Sequence, residues 1–209
     1  MTLYAATSNA GKLVEFTLSA SLTGIQVLAL PNLATMPEPL EDAPTFQGNA
    51  DLKAIAYSLL APNLLVFADD SGLESTALNG APGVRSARFA DDLAFDPNSG
   101  SKDDRNNRAL LSQLQFHTDR SVRFVCALAL ARDGQVLLRA EGTVEGQLLT
   151  SPHGSAGFGY DPLFLIPPLD LTLAELPREQ KWQLSHRGNA FRSLLAQIAA
   201  SHLSLYRTN

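Results

Sequence analysis

R123-F-V-C-A-L-A-L-A-R-D-G-Q-V-L-L-R-A-E-G-T-V144 is the stretch that decides the fold. Two runs rich in β-branched and apolar residues flank Asp133-Gly134, the pair that a two-residue type I′ hairpin turn prefers, so the segment predicts an antiparallel hairpin. The amino-terminal part has a different rhythm. L3-Y-A-A-T7 predicts a strand, and K12-L-V-E-F-T-L-S-A-S-L22 places Leu13, Phe16 and Leu22 near one helical face. I25-Q-V-L-A-L30 predicts a second strand, residues 45–61 a helix capped by Thr45, and L64-L-V-F-A68 a buried strand. A parallel strand–helix–strand front joined to an antiparallel hairpin makes an α/β fold with a mixed sheet. The proline-rich residues 31–44 must form loop, because each proline lacks a ladder donor. Loops of that length in compact domains are often functional. Residues 96–104 read as a polar surface loop before a helix near 104–116, and residues 188–203 as a closing amphipathic helix.

Composition narrows the function classes. At 209 residues and 45% hydrophobic content the chain has ample material for a packed core. Its 16 Lys and Arg against 21 Asp and Glu leave a net charge of −5, which argues against broad binding to nucleic acid or to an anionic membrane. No apolar stretch approaches the roughly 20 residues of a bilayer span. The opening residues lack the basic-then-apolar pattern of a signal peptide, so the expectation is a cytoplasmic globular protein. The single Cys126 cannot form an internal disulfide and reads as a small core residue. His117, His153, His186 and His202 are too scattered for a zinc site.

Four segments carry candidate chemistry. Thr7-Ser8-Asn9-Ala10-Gly11-Lys12 falls where a strand ends and a helix begins, so backbone N–H groups and a lysine can cradle an anion there. The same residues also fit an ordinary N-cap with a solvated lysine. The segment is not a Walker A loop, since Leu13 follows the lysine. Asp69-Asp70-Ser71-Gly72 follows the buried strand, at the edge where α/β folds bind ligands. If the backbone stays extended, the two carboxylates point to opposite faces, one toward a site and one supporting the loop. An acid here can hold Mg²⁺ or take a proton from water, although the composition fits a plain turn equally well. Gly154 to Pro162 sets three glycines around Phe158, Tyr160 and Asp161, which suits a loop stacking on a flat ligand or one tucking its aromatics into the core. Lys181 to Gly188 brings Lys181, Ser185, His186 and Arg187 before the last helix. Ser185-His186 is a poor catalytic dyad because adjacent side chains diverge, and Arg187 also fits a surface charge at the helix entry.

Taken in order, T-S-N-A-G-K, D-D-S-G-L, A77-L-N-G-A-P-G-V-R-S-A-R-F-A90, G157-F-G-Y-D-P-L-F164 and S185-H-R-G-N-A190 resemble the inosine triphosphate pyrophosphatase family, also called Ham1-type. The resemblance runs from residue 5 to about residue 195. It implies one elongated Maf/Ham1-like α/β domain over residues 1–209, with a long central mixed sheet, two lobes flanking a nucleotide cleft, and a homodimer. The implied reaction is Mg²⁺-dependent cleavage of ITP, dITP or XTP to the monophosphate and pyrophosphate, which cleanses the nucleotide pool. By the same resemblance Thr7, Ser8, Asn9, Ala10, Gly11 and Lys12 embrace the triphosphate. Asp70 is general base and metal neighbour, and Glu41 is a second metal ligand. Lys53 of N49-A-D-L-K-A54 faces phosphates and Ser71 touches substrate. Phe158, Gly159, Tyr160 and Asp161 frame the base, while Lys181, His186 and Arg187 complete the nucleotide site.

Base choice then follows from hydrogen-bond polarity. Hypoxanthine and xanthine present a 6-oxo acceptor, so donors from His186, Arg187 or loop N–H groups reward them and are left unpaired against adenine. This chain departs from the family at Gly48, where many members carry an acid, which implies weaker metal binding or compensation by Glu41 or Asp42. Residues 91–104 form a longer loop, and Phe191 replaces a common leucine. Two other functions compete: a Maf-like pyrophosphatase acting on other modified nucleotides, and a nucleotide-sensing module without turnover.

Overall fold

Seven strands order themselves β2-β1-β3-β4-β5-β6-β7 in one mixed sheet, as a computed structural model describing residues 1–21 and 23–201 shows. In chain order the strands are β1 (Thr2–Ala5), β2 (Gln26–Ala29), β3 (Val66–Ser75), β4 (Ser121–Arg132), β5 (Gln135–Leu148), β6 (Phe164–Ile166) and β7 (Leu171–Thr172). The helices are α1 (Ala10–Ala20), α2 (Phe46–Leu60), α3 (Phe89–Asp92), α4 (Lys102–Gln113), α5 (Arg178–Leu184) and α6 (His186–Ala200). β1 runs parallel to both β2 and β3, whereas β6 is antiparallel to β5 and to β7. The α/β class and the mixed sheet expected from the sequence are therefore what the chain has.

The hairpin forms where its turn residues put it. Asp133 and Gly134 take φ of 50° and 78°, the pair of positive values a type I′ turn requires. Asn63 N–H donates to Asp133 Oδ1 at 2.7 Å, and Gly134 N–H donates to Ser58 Oγ at 3.0 Å, which ties the turn to the end of α2. At residues 69–72, read as either extended chain or turn, β3 takes the extended form. Residues 69–72 have the composition of a turn, yet the strand continues through them to Ser75. Sheet pairing overrides the local preference, with β1 and β4 as its neighbours and Leu73 N–H donating to Ser86 Oγ at 2.8 Å. The short β6, β7, α3 and α5 carry no periodic signal and escape a sequence reading. Leu22 and residues 202–203, expected in helices, lie outside the described residues.

The described residues cluster into two compact units. The first comprises residues 1–70, 126–142 and 186 onward; its core joins α1, β3 and α6 through the buried rings of Phe16, Phe67 and Phe191, whose centroids lie 4.9 to 5.5 Å apart. Phe191 thus fills an aromatic cluster rather than merely replacing an aliphatic side chain. The second unit comprises residues 71–125 and 143–185. Its core packs Leu73, Leu110, Leu114, Leu163 and Leu173 with Phe164, whose ring lies 4.7 Å from that of Phe124.

Candidate active site

In the first unit, β1 delivers the chain to a tight corner at Thr7-Ser8-Asn9. Asn9 caps α1, its Oδ1 accepting the Lys12 N–H at 3.1 Å, and its own N–H donates to Thr7 Oγ1 at 3.2 Å. Ala10 and Gly11 supply the first turn of α1. A cavity of about 750 Å³ opens on this corner, lined among others by Thr7, Ser8, Asn9, Lys12, Glu41 and Lys53. Lys12 is not a solvated helix charge: its Nζ lies 2.7 Å from Asp69 Oδ2 and its side chain is mostly buried.

Because β3 stays extended, Asp69 and Asp70 do point to opposite faces. Asp69 also lines the cavity, and its carboxylate faces Lys12 and, at 3.8 Å, the guanidinium of Arg187. Burial alone would raise its pKa, but Lys12 and Arg187 outweigh burial and hold it far below the usual carboxylate range. Asp70 joins the cluster through other partners: Oδ2 accepts from Asn49 Nδ2 at 3.1 Å, and Oδ1 lies 3.2 Å from Lys53 Nζ. Here burial prevails over Lys53 and Asn49, with Glu41 adding to it, and the carboxyl is pushed above its ordinary value. Two adjacent aspartates therefore hold protons with opposite strengths. The more basic one is Asp70, which sequence reading singled out as the base.

Glu41 Oε2 also lies 3.2 Å from Lys53 Nζ, so Glu41 and Asp70 converge on one ammonium. That convergence fits an oxygen-ligated divalent cation. Among the described residues no group of three or more His, Cys, Asp or Glu is placed to hold a metal, so such an ion would keep positions for water or phosphate. Gly48 sits in the first turn of α2, capped by Thr45 Oγ1 at 3.1 Å. A Cβ there would come 2.7 Å from Ala43 Cβ, so the missing acid goes with a close approach of the preceding loop. Neighbouring Asn49 links that loop to Asp70, accepting the Ala43 N–H at 3.0 Å.

Arg187, at the start of α6, is 3% exposed, and its Nη1 lies 3.1 Å from Glu15 Oε2. Burial opposes its charge, but Asp69 and Glu15 more than offset this and its pKa is raised. The surface-charge alternative for Arg187 is thereby excluded. His186 is buried beside it in sequence. Sequence reading assigned no role to Asn49 or Glu15. Their signal was helical spacing, Asn49 lying four residues before Lys53 on α2 and Glu15 three after Lys12 on α1. Cys126 is fully buried, and burial, together with Asp69, pushes its thiol up to about 12.

The second unit assembles the other group. Lys181 Nζ lies 2.6 Å from Asp161 Oδ2, both side chains buried, and sits 5.3 Å from the centroid of the Phe158 ring. Gly157 makes room for the pair: it has φ of 81°, and a Cβ would fall 2.2 Å from Asp161 Oδ2. Phe158 is half-buried, whereas Tyr160 is 4% exposed and its hydroxyl donates to Ser86 O at 2.9 Å. The N–H groups of Phe158 and Gly159 donate to Asp161 and Asp103, so neither is left to read a 6-oxo group. Ser71 lies half-buried in β3.

Comparison with known proteins follows the same chain length. A model of the Ham1 family matches residues 3–197. A dITP/XTP pyrophosphatase of Acidobacterium capsulatum is 51% identical over 199 residues, covering 95% of this chain and 98% of the relative. A dITP/XTP pyrophosphatase of Exiguobacterium is 46% identical, covering 95% and 97%. Among solved structures, the Ham1 protein of Staphylococcus aureus superposes with a TM-score of 0.81 at 38% identity, covering 96% of this chain and 99% of that one. The HAM1 protein of Coxiella burnetii gives 0.83 at 33% identity, covering 96% and 100%.

Proposed function

This chain belongs to the Ham1 family, and we propose that it is a nucleoside triphosphate pyrophosphatase that hydrolyses non-standard purine triphosphates such as dITP, XTP and ITP to the monophosphate and pyrophosphate. The observation that carries the mechanism is the convergence of Asp70 and Glu41 on Lys53. Asp70 orients a water and takes its proton as the water oxygen bonds to the α-phosphorus. The bond from that phosphorus to the bridging oxygen breaks, and pyrophosphate leaves with the electron pair. Lys12 and Lys53 offset the charge that develops on the phosphate oxygens, and the N-terminus of α1 faces them.

Charge balance supports a metal requirement. Lys12, Lys53 and Arg187 face four carboxylates, Glu15, Glu41, Asp69 and Asp70, so the cluster has no surplus positive charge to meet a triphosphate. Glu41 and Asp70 would hold Mg²⁺, which supplies that charge and stabilises the leaving group. In the second unit, Phe158 to Asp161 with Lys181 frame the base, and Ser71 touches substrate. The proposal extends to a homodimer working in the cytoplasm. No described helix is long and apolar enough to cross a membrane.

Pyrophosphate release from dITP, XTP, ITP, dATP and dUTP, with Mg²⁺ and with EDTA, tests the proposal. Preferential, EDTA-sensitive cleavage of the oxopurine triphosphates is expected. Preference for dUTP or modified pyrimidines would instead establish the Maf-like alternative, and binding without release a sensing module. Sedimentation at twice the monomer mass checks the dimer.

A further inference from the structure

The loop assigned to the base is held by a helix that the mechanism above does not use. The peptide groups of Gly159, next to the Phe158 ring, are fastened on both sides by α4. Gly159 N–H donates to Asp103 Oδ2 at 2.7 Å, and Gly159 C=O accepts from Asn107 Nδ2 at 3.0 Å. Asp103 and Asn107 are four residues apart, so they stand on one face of the helix and present an acceptor and a donor at matching height.

The helix itself is a firm support. Ser101 and Asp104 close a capping box at its start. Asn106, 3% exposed, accepts the Ala90 N–H at 2.9 Å and donates to Ala87 O at 3.3 Å, while Leu110 is fully buried in the second unit's core. Asp103, by contrast, is exposed and adds nothing to that core. Its placement in the first turn suits its charge, but a dipole preference does not require a bond to a peptide 56 residues along the chain.

We propose that Asp103 and Asn107 are positioning residues for base recognition: they set the Gly159 peptide and hence the placement of the Phe158 ring, and they act on substrate affinity rather than on turnover. The inference rests on the assignment of Phe158 to Asp161 to the base. The bond to Asp103 is charge-assisted, and it orders a loop that would otherwise sample other arrangements before binding.

The test compares dITP hydrolysis and amide exchange in Asp103→Leu, Asp103→Asn, Asn107→Leu and Phe158→Leu. Asp103→Leu is expected to raise KM about tenfold with kcat within about twofold, and to speed exchange of the Gly159 amide. Asp103→Asn keeps a neutral acceptor of the same shape and restores most of both. Asn107→Leu raises KM less. If Asp103→Leu leaves KM unchanged while Phe158→Leu raises it, the positioning role is wrong and the base assignment stands. If Phe158→Leu leaves KM unchanged, the base assignment itself falls and the inference with it. Equal losses in Asp103→Leu and Asp103→Asn, or a drop in kcat together with the melting temperature, also overturn it.

Discussion

The two units bury charge in different ways. In the first, Glu15, Arg187, Asp69 and Lys12 form a succession of alternating charges, and Lys53 stands between Asp70 and Glu41. Each of these cations already answers to a carboxylate, which is why the proposed reaction calls for a further cation to accompany a polyphosphate. In the second, the buried pair Asp161 with Lys181 is closed over by Gly157 and topped by Phe158. That pair shapes a loop and leaves no charge to spare. The contrast separates a place built for exchange of charge from a place built for shape.

Substituting neighbouring aspartates tests the first half of this contrast most severely. Asp69→Asn leaves Lys12 and Arg187 buried with less compensation, so urea unfolding should show a loss of about 3 to 5 kcal/mol. Asp70→Asn should leave the unfolding midpoint nearly unchanged and lower kcat by about 10²-fold, roughly 2.7 kcal/mol in the barrier. Exchanged outcomes, with Asp69→Asn stable but inactive, would reverse the roles assigned to the two carboxylates.

For the second unit, Gly157→Ala forces a side chain into the left-handed region and against the ion pair. The expected result is a KM for dITP raised about tenfold with a smaller change in kcat, read from initial rates. A kcat loss as large as that of Asp70→Asn would break the division between charge and shape. The smallest effect is expected at Cys126. Its thiol, buried within the first unit and shifted to about 12, should resist a thiol reagent at pH 8 until denaturant is added.

Much of this was legible in the chain because its causes are local. Asp133-Gly134 can meet the two positive φ values of the hairpin turn, Thr45 and Asn9 cap their helices by bonds three residues long, and the prolines of 31–44 exclude a ladder. Thr7, Ser8, Asn9 and Lys12 share one cavity because they lie together in the chain, where β1 ends and α1 begins. The continuation of β3 through Asp69 to Gly72 escaped a local reading, because its stability comes from neighbouring strands. So did α5 and the burial of Arg187 and Tyr160.

How tightly each of the two aspartates holds its proton is the clearest case of a question that pattern leaves open. Alternation along an extended strand says that Asp69 and Asp70 face opposite ways, and motif order says that acids belong there. It does not say which partners each will meet. Lys12 reaches Asp69 across 57 residues, and Glu15 reaches Arg187 across 172. Proton affinity depends on burial and on charges a few ångströms away, and those distances exist only after the chain has closed on itself.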